Sequence, residues 1–121
     1  MKKTGYVIFA HGSTVAEANH AVDVVAEQAA VAAGFDLYSS AFLDCAHPTL
    51  SEAVLDLVAR GASDVIVIPY FLTLGIHMQR DLPALVRDLE AGTPGLKIRV
   101  TPPLDGHPSL SRIVAERALE A

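Results

Sequence analysis

The chain has 121 residues, of which 51% are hydrophobic and 19% charged, a size that suits a single domain with one core. Nine basic residues against 14 acidic ones give a formal charge of −5, which argues against binding nucleic acid by neutralising its phosphates. No apolar run approaches the ~20 residues of a membrane span, the first residues leave no room for a signal peptide, and the single cysteine excludes an internal disulfide, so we expect a cytoplasmic protein that does not bind membranes.

Strands and helices alternate along the sequence. Short apolar runs predict strands over residues 5–10, 37–43, 65–68 and 96–101. Alanine-rich or amphipathic segments predict helices over residues 15–33, 50–60 and 81–90, and from 108 to the C-terminus. Pro48 and Pro108 are expected in the first turns of their helices, and Asp81 is expected to cap the third helix. The alternation predicts one α/β domain over residues 1–121, flavodoxin-like, with a four-stranded parallel sheet and helices on both faces.

Four of the five histidines follow a predicted strand. His11, His47, His77 and His107 come after strands one to four, whereas His20 lies within the first helix. Because the carboxyl ends of parallel strands share one edge of a sheet, where ligands usually bind, we expect the four to lie in one region. Capping a helix is an alternative role for His47 and His107.

His11 and His77 are the stronger candidates for chemistry. His11 precedes the tight turn Gly12-Ser13, and His77 lies in an apolar connection where polar residues would be usual. Asp44, at the end of the second strand, is expected at the same edge. Two imidazoles and a carboxylate can hold a divalent cation such as cobalt, iron, nickel or zinc, and imidazole also accepts protons near neutral pH. The sequence lacks the glycine-rich loops that bind ATP or dinucleotides.

Three segments carry a resemblance to a known family. "FAHGS" at 9–13, "AFLDCAHPTL" at 41–50 and "IPYFLTLGIHMQRDLPALV" at 68–86 resemble the small sirohydrochlorin chelatases of the CbiX/SirB type. The resemblance implies a chelatase-like fold and an ATP-independent lyase that inserts a divalent metal into sirohydrochlorin during cobalamin or siroheme biosynthesis. It makes cobalt the first candidate metal, with iron or nickel as alternatives. It also implies a homodimer with no permanently bound cofactor, the metal being a substrate.

The same resemblance assigns roles to particular residues. His11 and His77 match the pair that is taken to bind the incoming metal and to remove pyrrole protons. Asp44 aligns with an acidic position that supports metal delivery. His47 occupies a position that commonly carries a carboxylate, and it is a further candidate metal ligand.

Binding of a tetrapyrrole adds a second set of candidates. The apolar segment that includes Leu74 can cover the macrocycle face, while Gly75 lets the backbone adjust. Arg80 is a candidate partner for a substrate carboxylate, and Gly12 and Ser13 could supply hydrogen-bond donors. Alternative functions are a non-catalytic carrier of metal or tetrapyrrole, a phosphoryl-transfer enzyme with His11 as nucleophile, and a regulatory domain with incidental histidines.

Overall fold

The computed structural model describes residues 2–121 and contains four strands and four helices in the predicted order. The strands are β1 (Lys3–Ala10), β2 (Leu37–Phe42), β3 (Ala62–Pro69) and β4 (Lys97–Val100). The helices are α1 (Ala16–Ala33), α2 (Leu50–Ala59), α3 (Ile76–Gly92) and α4 (Ser109–Glu120). All neighbouring strands are parallel, in the order β2-β1-β3-β4. The predicted α/β class and four-stranded parallel sheet are therefore confirmed.

Alternate residues of β1 enter two separate hydrophobic clusters. Val7 and Phe9 are buried on the face covered by α2 and α3, in a cluster that includes Leu57 and Leu82. Ile8 is buried on the opposite face, among side chains of α1 and β2. This alternation follows from the two-residue period of a strand, and it explains why a central parallel strand must be apolar on both faces.

The last helix is not part of either cluster. All residues of α4, 109–120, are described by the structure and none of them is buried. Ile113, Val114 and Leu119 are 49%, 68% and 87% exposed. Helices therefore cover both faces as predicted, with α1 on one and α2 and α3 on the other, but α4 leaves its apolar side chains in solvent.

The third helix begins earlier than predicted. It starts at Ile76, after Gly75 in an extended conformation (φ −66°, ψ 163°), so the prediction that Asp81 caps it is wrong. Pro83 consequently lies inside the helix rather than in its first turn. Leu74 and Met78 pack against the core on either side of the helix start, and this burial outweighs the absence of a polar capping side chain at Gly75.

The second helix also begins differently from the prediction. Thr49 is its N-cap, so Pro48 precedes the helix instead of occupying its first turn. The Thr49 hydroxyl accepts a hydrogen bond from the Glu52 amide at 3.2 Å, and the Glu52 carboxylate accepts one from the Thr49 amide at 2.8 Å. This reciprocal pair is a capping box, which satisfies two amides that the helix itself leaves unpaired.

Candidate functional site

The turn after β1 is joined to the turn after β2 by backbone hydrogen bonds. The Leu43 amide donates to the Ala10 carbonyl at 2.9 Å, and the Asp44 amide donates to the His11 carbonyl at 3.0 Å. Gly12 has a φ of +91°, and a Cβ added there would lie 1.9 Å from the Asp44 carbonyl oxygen. The close approach that Gly12 permits is therefore one made by the chain's own backbone.

Ser13 is engaged within its own turn. Its hydroxyl accepts a hydrogen bond from the Val15 amide at 3.0 Å. Its amide donates to Asn19 Oδ1 at 2.9 Å, and Asn19 Nδ2 donates to the Ser13 carbonyl at 2.8 Å. Sequence reasoning missed this role of Asn19, because a contact across six residues has no local signature. The Ser13 amide, one of the donors expected to face a substrate, therefore holds the turn to α1.

The segment between β3 and α3 reaches toward His11. The ring of Phe71 lies edge-on to that of Phe9 at 5.8 Å and to the His11 imidazole at 5.9 Å. Backbone amides of Leu104 and Asp105 donate to the carbonyls of Phe71 and its neighbour at 2.9 and 2.8 Å. The Phe71 side chain therefore contacts His11 from the segment that leads into α3.

His11 and His77 line the same cavity, which has a volume of about 360 Å³. Most of its wall is apolar and comes from Leu43, Phe71, Leu74, Ile76 and Met78. Gly75 also lines the cavity. Leu74 and Gly75 are the two predicted substrate-binding residues that lie in the cavity wall. The cavity combines an apolar surface with two imidazoles, the combination that the sequence predicted for this edge of the sheet.

Asp81 also lines this cavity, and sequence reasoning assigned it only a capping role. Because α3 starts at Ile76, His77 and Asp81 are four residues apart on one helix and share a face. The spacing was visible in the sequence, but it signals a shared face only once both residues are known to be helical.

Arg80 lies beside these two residues. Its Nε donates a hydrogen bond to Asp81 Oδ1 at 3.1 Å, and its Nη2 is 3.5 Å from His77 Nδ1. The Arg80 side chain is 73% exposed. A guanidinium beside two cavity-lining residues is available to a negatively charged ligand, which competes with Asp81 for it.

Asp44 and His47 lie outside the cavity lining. The Asp44 carboxylate accepts a hydrogen bond from the Cys45 amide at 2.8 Å, and His47 Nδ1 is 2.7 Å from Glu52 Oε1. The Thr49 amide, and after it His47, lower the pKa of Glu52. Within residues 2–121 no three His, Cys, Asp or Glu side chains form a group able to hold a metal ion. The predicted ligand set is thus not preassembled.

Comparison with known proteins identifies the family. The sequence model of the CbiX family matches residues 5–121, almost the whole chain. The chain belongs to the CbiX family. The resemblance carried by the three sequence segments is therefore confirmed.

Relatives of this CbiX protein differ in length. The chain is 30% identical to the chloroplastic sirohydrochlorin ferrochelatase of Arabidopsis thaliana, over 93% of this chain but 50% of the relative. It is 26% identical to the sirohydrochlorin cobaltochelatase of Methanopyrus kandleri, over 95% of this chain and 94% of that protein. The chain thus spans about half of one relative and nearly all of the other.

A solved structure shows the same fold. The sirohydrochlorin chelatase SirB from Bacillus subtilis subspecies spizizenii, in complex with cobalt, superposes with a TM-score of 0.89 at 21% identity. The match covers 98% of this chain and 50% of SirB. At this identity the likeness concerns the fold, and it agrees with the parallel sheet of the CbiX protein.

The other two histidines of the CbiX protein have simpler surroundings. His107 Nδ1 accepts a hydrogen bond from the Ser109 amide at 3.1 Å, so it supports the start of α4 as the capping alternative predicted. His20 is exposed on α1. Among the helices within residues 2–121, none has the length and apolar character needed to cross a membrane.

Proposed function

We propose that this CbiX protein inserts a divalent metal ion into sirohydrochlorin without using ATP. The observation that carries the proposal is that His11 and His77 line one apolar cavity. The names of the relatives, which include cobaltochelatases and a ferrochelatase, support the substrate and favour Co²⁺ or Fe²⁺, with Ni²⁺ as a further candidate. The metal is a substrate in this scheme, and no cofactor is permanently bound. The exposed thiol of Cys45 suits the reducing cytoplasm, where we place the reaction.

The cavity suggests how the work is divided. In this scheme the apolar wall, including Leu74, contacts the face of the macrocycle. The imidazoles of His11 and His77 act together at the centre of the ring. Neutral imidazole can bind the cation, and it can also accept the pyrrole protons that insertion releases. Binding energy from the substrate carboxylates, one of them paired with Arg80, offsets distortion of the ring.

Asp44 and His47 have supporting roles in this proposal. Both are exposed at the same edge of the sheet as His11; Asp44 is held by the amide of its neighbour Cys45, and His47 by Glu52 of α2. A cation arriving from solvent would meet them before it reaches the cavity. We therefore assign them to metal delivery rather than to the final ligand set.

We also propose that the protein acts as a homodimer. The exposed apolar residues of α4, including Ile113 and Val114, lack partners within residues 2–121, and SirB is twice as long as the matched region. A second copy would cover these side chains and supply the other half of a longer chelatase. Val114→Asp should shift the protein to monomer in analytical ultracentrifugation, whereas Val31→Asp, at an exposed valine of α1, should not. A Val114→Asp protein that sediments as the wild type would contradict this interface.

The activity is tested directly by mixing purified protein with sirohydrochlorin and, separately, Co²⁺, Fe²⁺ and Ni²⁺, and following the absorbance change against the uncatalysed rate. His11→Ala and His77→Ala should lose the acceleration while keeping the circular dichroism spectrum and urea midpoint of the wild type. His20→Ala, at an exposed histidine of α1, is the matched control and should remain active. A His77→Ala protein that inserts metal at the normal rate would refute the assignment.

A carrier of metal or tetrapyrrole is the alternative function. The observation that favours it is that residues 2–121 hold an apolar cavity without a preassembled group of three metal ligands. A carrier would bind sirohydrochlorin stoichiometrically and leave the rate of metal insertion at its uncatalysed value. The same absorbance assay therefore distinguishes the two functions.

A further inference from the structure

Arg80 interacts with two of the three side chains in the cavity that could bind a cation. Its Nε is hydrogen-bonded to Asp81 Oδ1 at 3.1 Å, and its Nη2 lies 3.5 Å from His77 Nδ1. A guanidinium is permanently charged and can only donate hydrogen bonds, so it can pair with His77 Nδ1 only where that nitrogen carries a lone pair. Arg80 therefore pairs with one of the two Asp81 carboxylate oxygens and lies beside one of the two His77 ring nitrogens, atoms that a metal ion could use.

The placement of these groups makes the contact more than a surface ion pair. His77 and Asp81 are one helical turn apart on α3, and both line the cavity that His11 also lines. Two imidazoles and a carboxylate suit cobalt, iron or nickel. A guanidinium repels a cation and competes for Asp81 Oδ1, so Arg80 weakens metal binding by His77 and Asp81 while it stays beside them.

We propose that Arg80 weakens the binding of a divalent cation by Asp81 and His77 until a carboxylate of the tetrapyrrole takes its guanidinium, and that Asp81 then joins the histidines in holding the metal. The proposal rests on the proposed substrate. It makes Arg80 a positioning residue that orders the two substrates, tetrapyrrole before metal. The exposed position of Arg80 lets its side chain exchange partners without any rearrangement of α3.

The first test measures Co²⁺ affinity by calorimetry with no tetrapyrrole present. Arg80→Gln should bind Co²⁺ roughly two- to fivefold more tightly than the wild type, the range expected for an exposed charge pair. Adding Asp81→Asn to Arg80→Gln should abolish that gain. Arg87→Gln and Asp88→Asn, which change the same charges at exposed positions further along α3, should leave the affinity unchanged.

The second test measures sirohydrochlorin affinity with no metal present, and it predicts effects of opposite sign. Arg80→Gln should weaken binding several-fold, because a carboxylate loses its partner. Asp81→Asn should strengthen it by roughly two- to fivefold, because Arg80 is released. That gain should vanish in the Arg80→Gln background, since Asp81 acts through Arg80. Loss of a merely structural contact would not produce opposite signs.

The outcomes separate this inference from the proposed chelatase activity. Equal Co²⁺ affinity in the wild type and Arg80→Gln, or a gain that persists after Asp81→Asn, would overturn the inference even if the protein inserts metal. The predicted pattern in both binding measurements would support it even if no insertion is accelerated, because neither measurement involves turnover. Failure of every variant to bind Co²⁺ would also overturn it.

Discussion

Replacing Gly12 by alanine tests whether the turn that carries His11 depends on close backbone contact. The φ of +91° costs an alanine about 1–2 kcal/mol. The added Cβ would also lie 1.9 Å from the Asp44 carbonyl oxygen, a distance at which the backbone must move. Displacing a packed segment adds about 1–3 kcal/mol, so the free energy of unfolding should fall by about 2–5 kcal/mol in total.

Urea denaturation measures this loss, and Gly34→Ala is its matched control. Gly34 also has a positive φ, +77°, but a Cβ added there would project into open space. Gly34→Ala should therefore lower the free energy of unfolding by about 1–2 kcal/mol, which is the cost of the backbone conformation alone. In the insertion assay, Gly12→Ala should be slower by about 100-fold, the effect of misplacing a reacting group by 1 Å. Equal destabilisation of the two variants would refute the argument from contact with Asp44.

Three further changes test other parts of the structure. Glu52→Gln should lower the urea midpoint near neutral pH, because the lowered pKa of Glu52 means that its carboxylate stabilises the fold only while it is ionised. The difference in urea midpoint from the wild type should shrink as the pH falls below 4.5. A difference that grows on acidification would contradict this. Leu82→Ala, at a side chain only 2% exposed, should cost about 2–5 kcal/mol in the same assay, against less than about 0.5 kcal/mol for Val31→Ala at an 81% exposed residue. Gly75→Ser should raise the thermal midpoint of unfolding slightly, since serine can cap α3 in the extended conformation that Gly75 has. If this folded variant no longer inserts metal, the glycine is needed for movement of the backbone.

The order and type of the elements could be predicted because apolar runs, as in β1 and β3, alternate with helical patterns, and glycines and prolines separate them. The start of α3 could not, because it depends on tertiary burial of Leu74 and Met78 rather than on a capping side chain. The periodicity of α4 predicted a helix correctly, but it says nothing about which surface would cover that helix. Local sequence patterns therefore predicted the helices and strands, but they did not predict the contacts between them.

The candidate site was predictable to the extent that topology determines it. Parallel strands bring His11 and His77 to one edge, and both line one cavity there. The neighbour of Gly12 depends on the register between β1 and β2, which places Ala10 opposite Phe42 and so brings the following turns together. Asp81 was misassigned because an aspartate before Leu-Pro has the appearance of a helix start.

The hydrogen bond between the Asp44 amide and the His11 carbonyl has a consequence for how the two imidazoles can move. It continues the β1–β2 ladder past the ends of both strands, so His11 is attached to an inner strand of the sheet. His77 is in the first turn of α3, where backbone amides have no partner within the helix and fraying is easiest. Amide hydrogen exchange should therefore be slow at Asp44 and fast around His77, so that changes in the gap between the histidines arise on the α3 side.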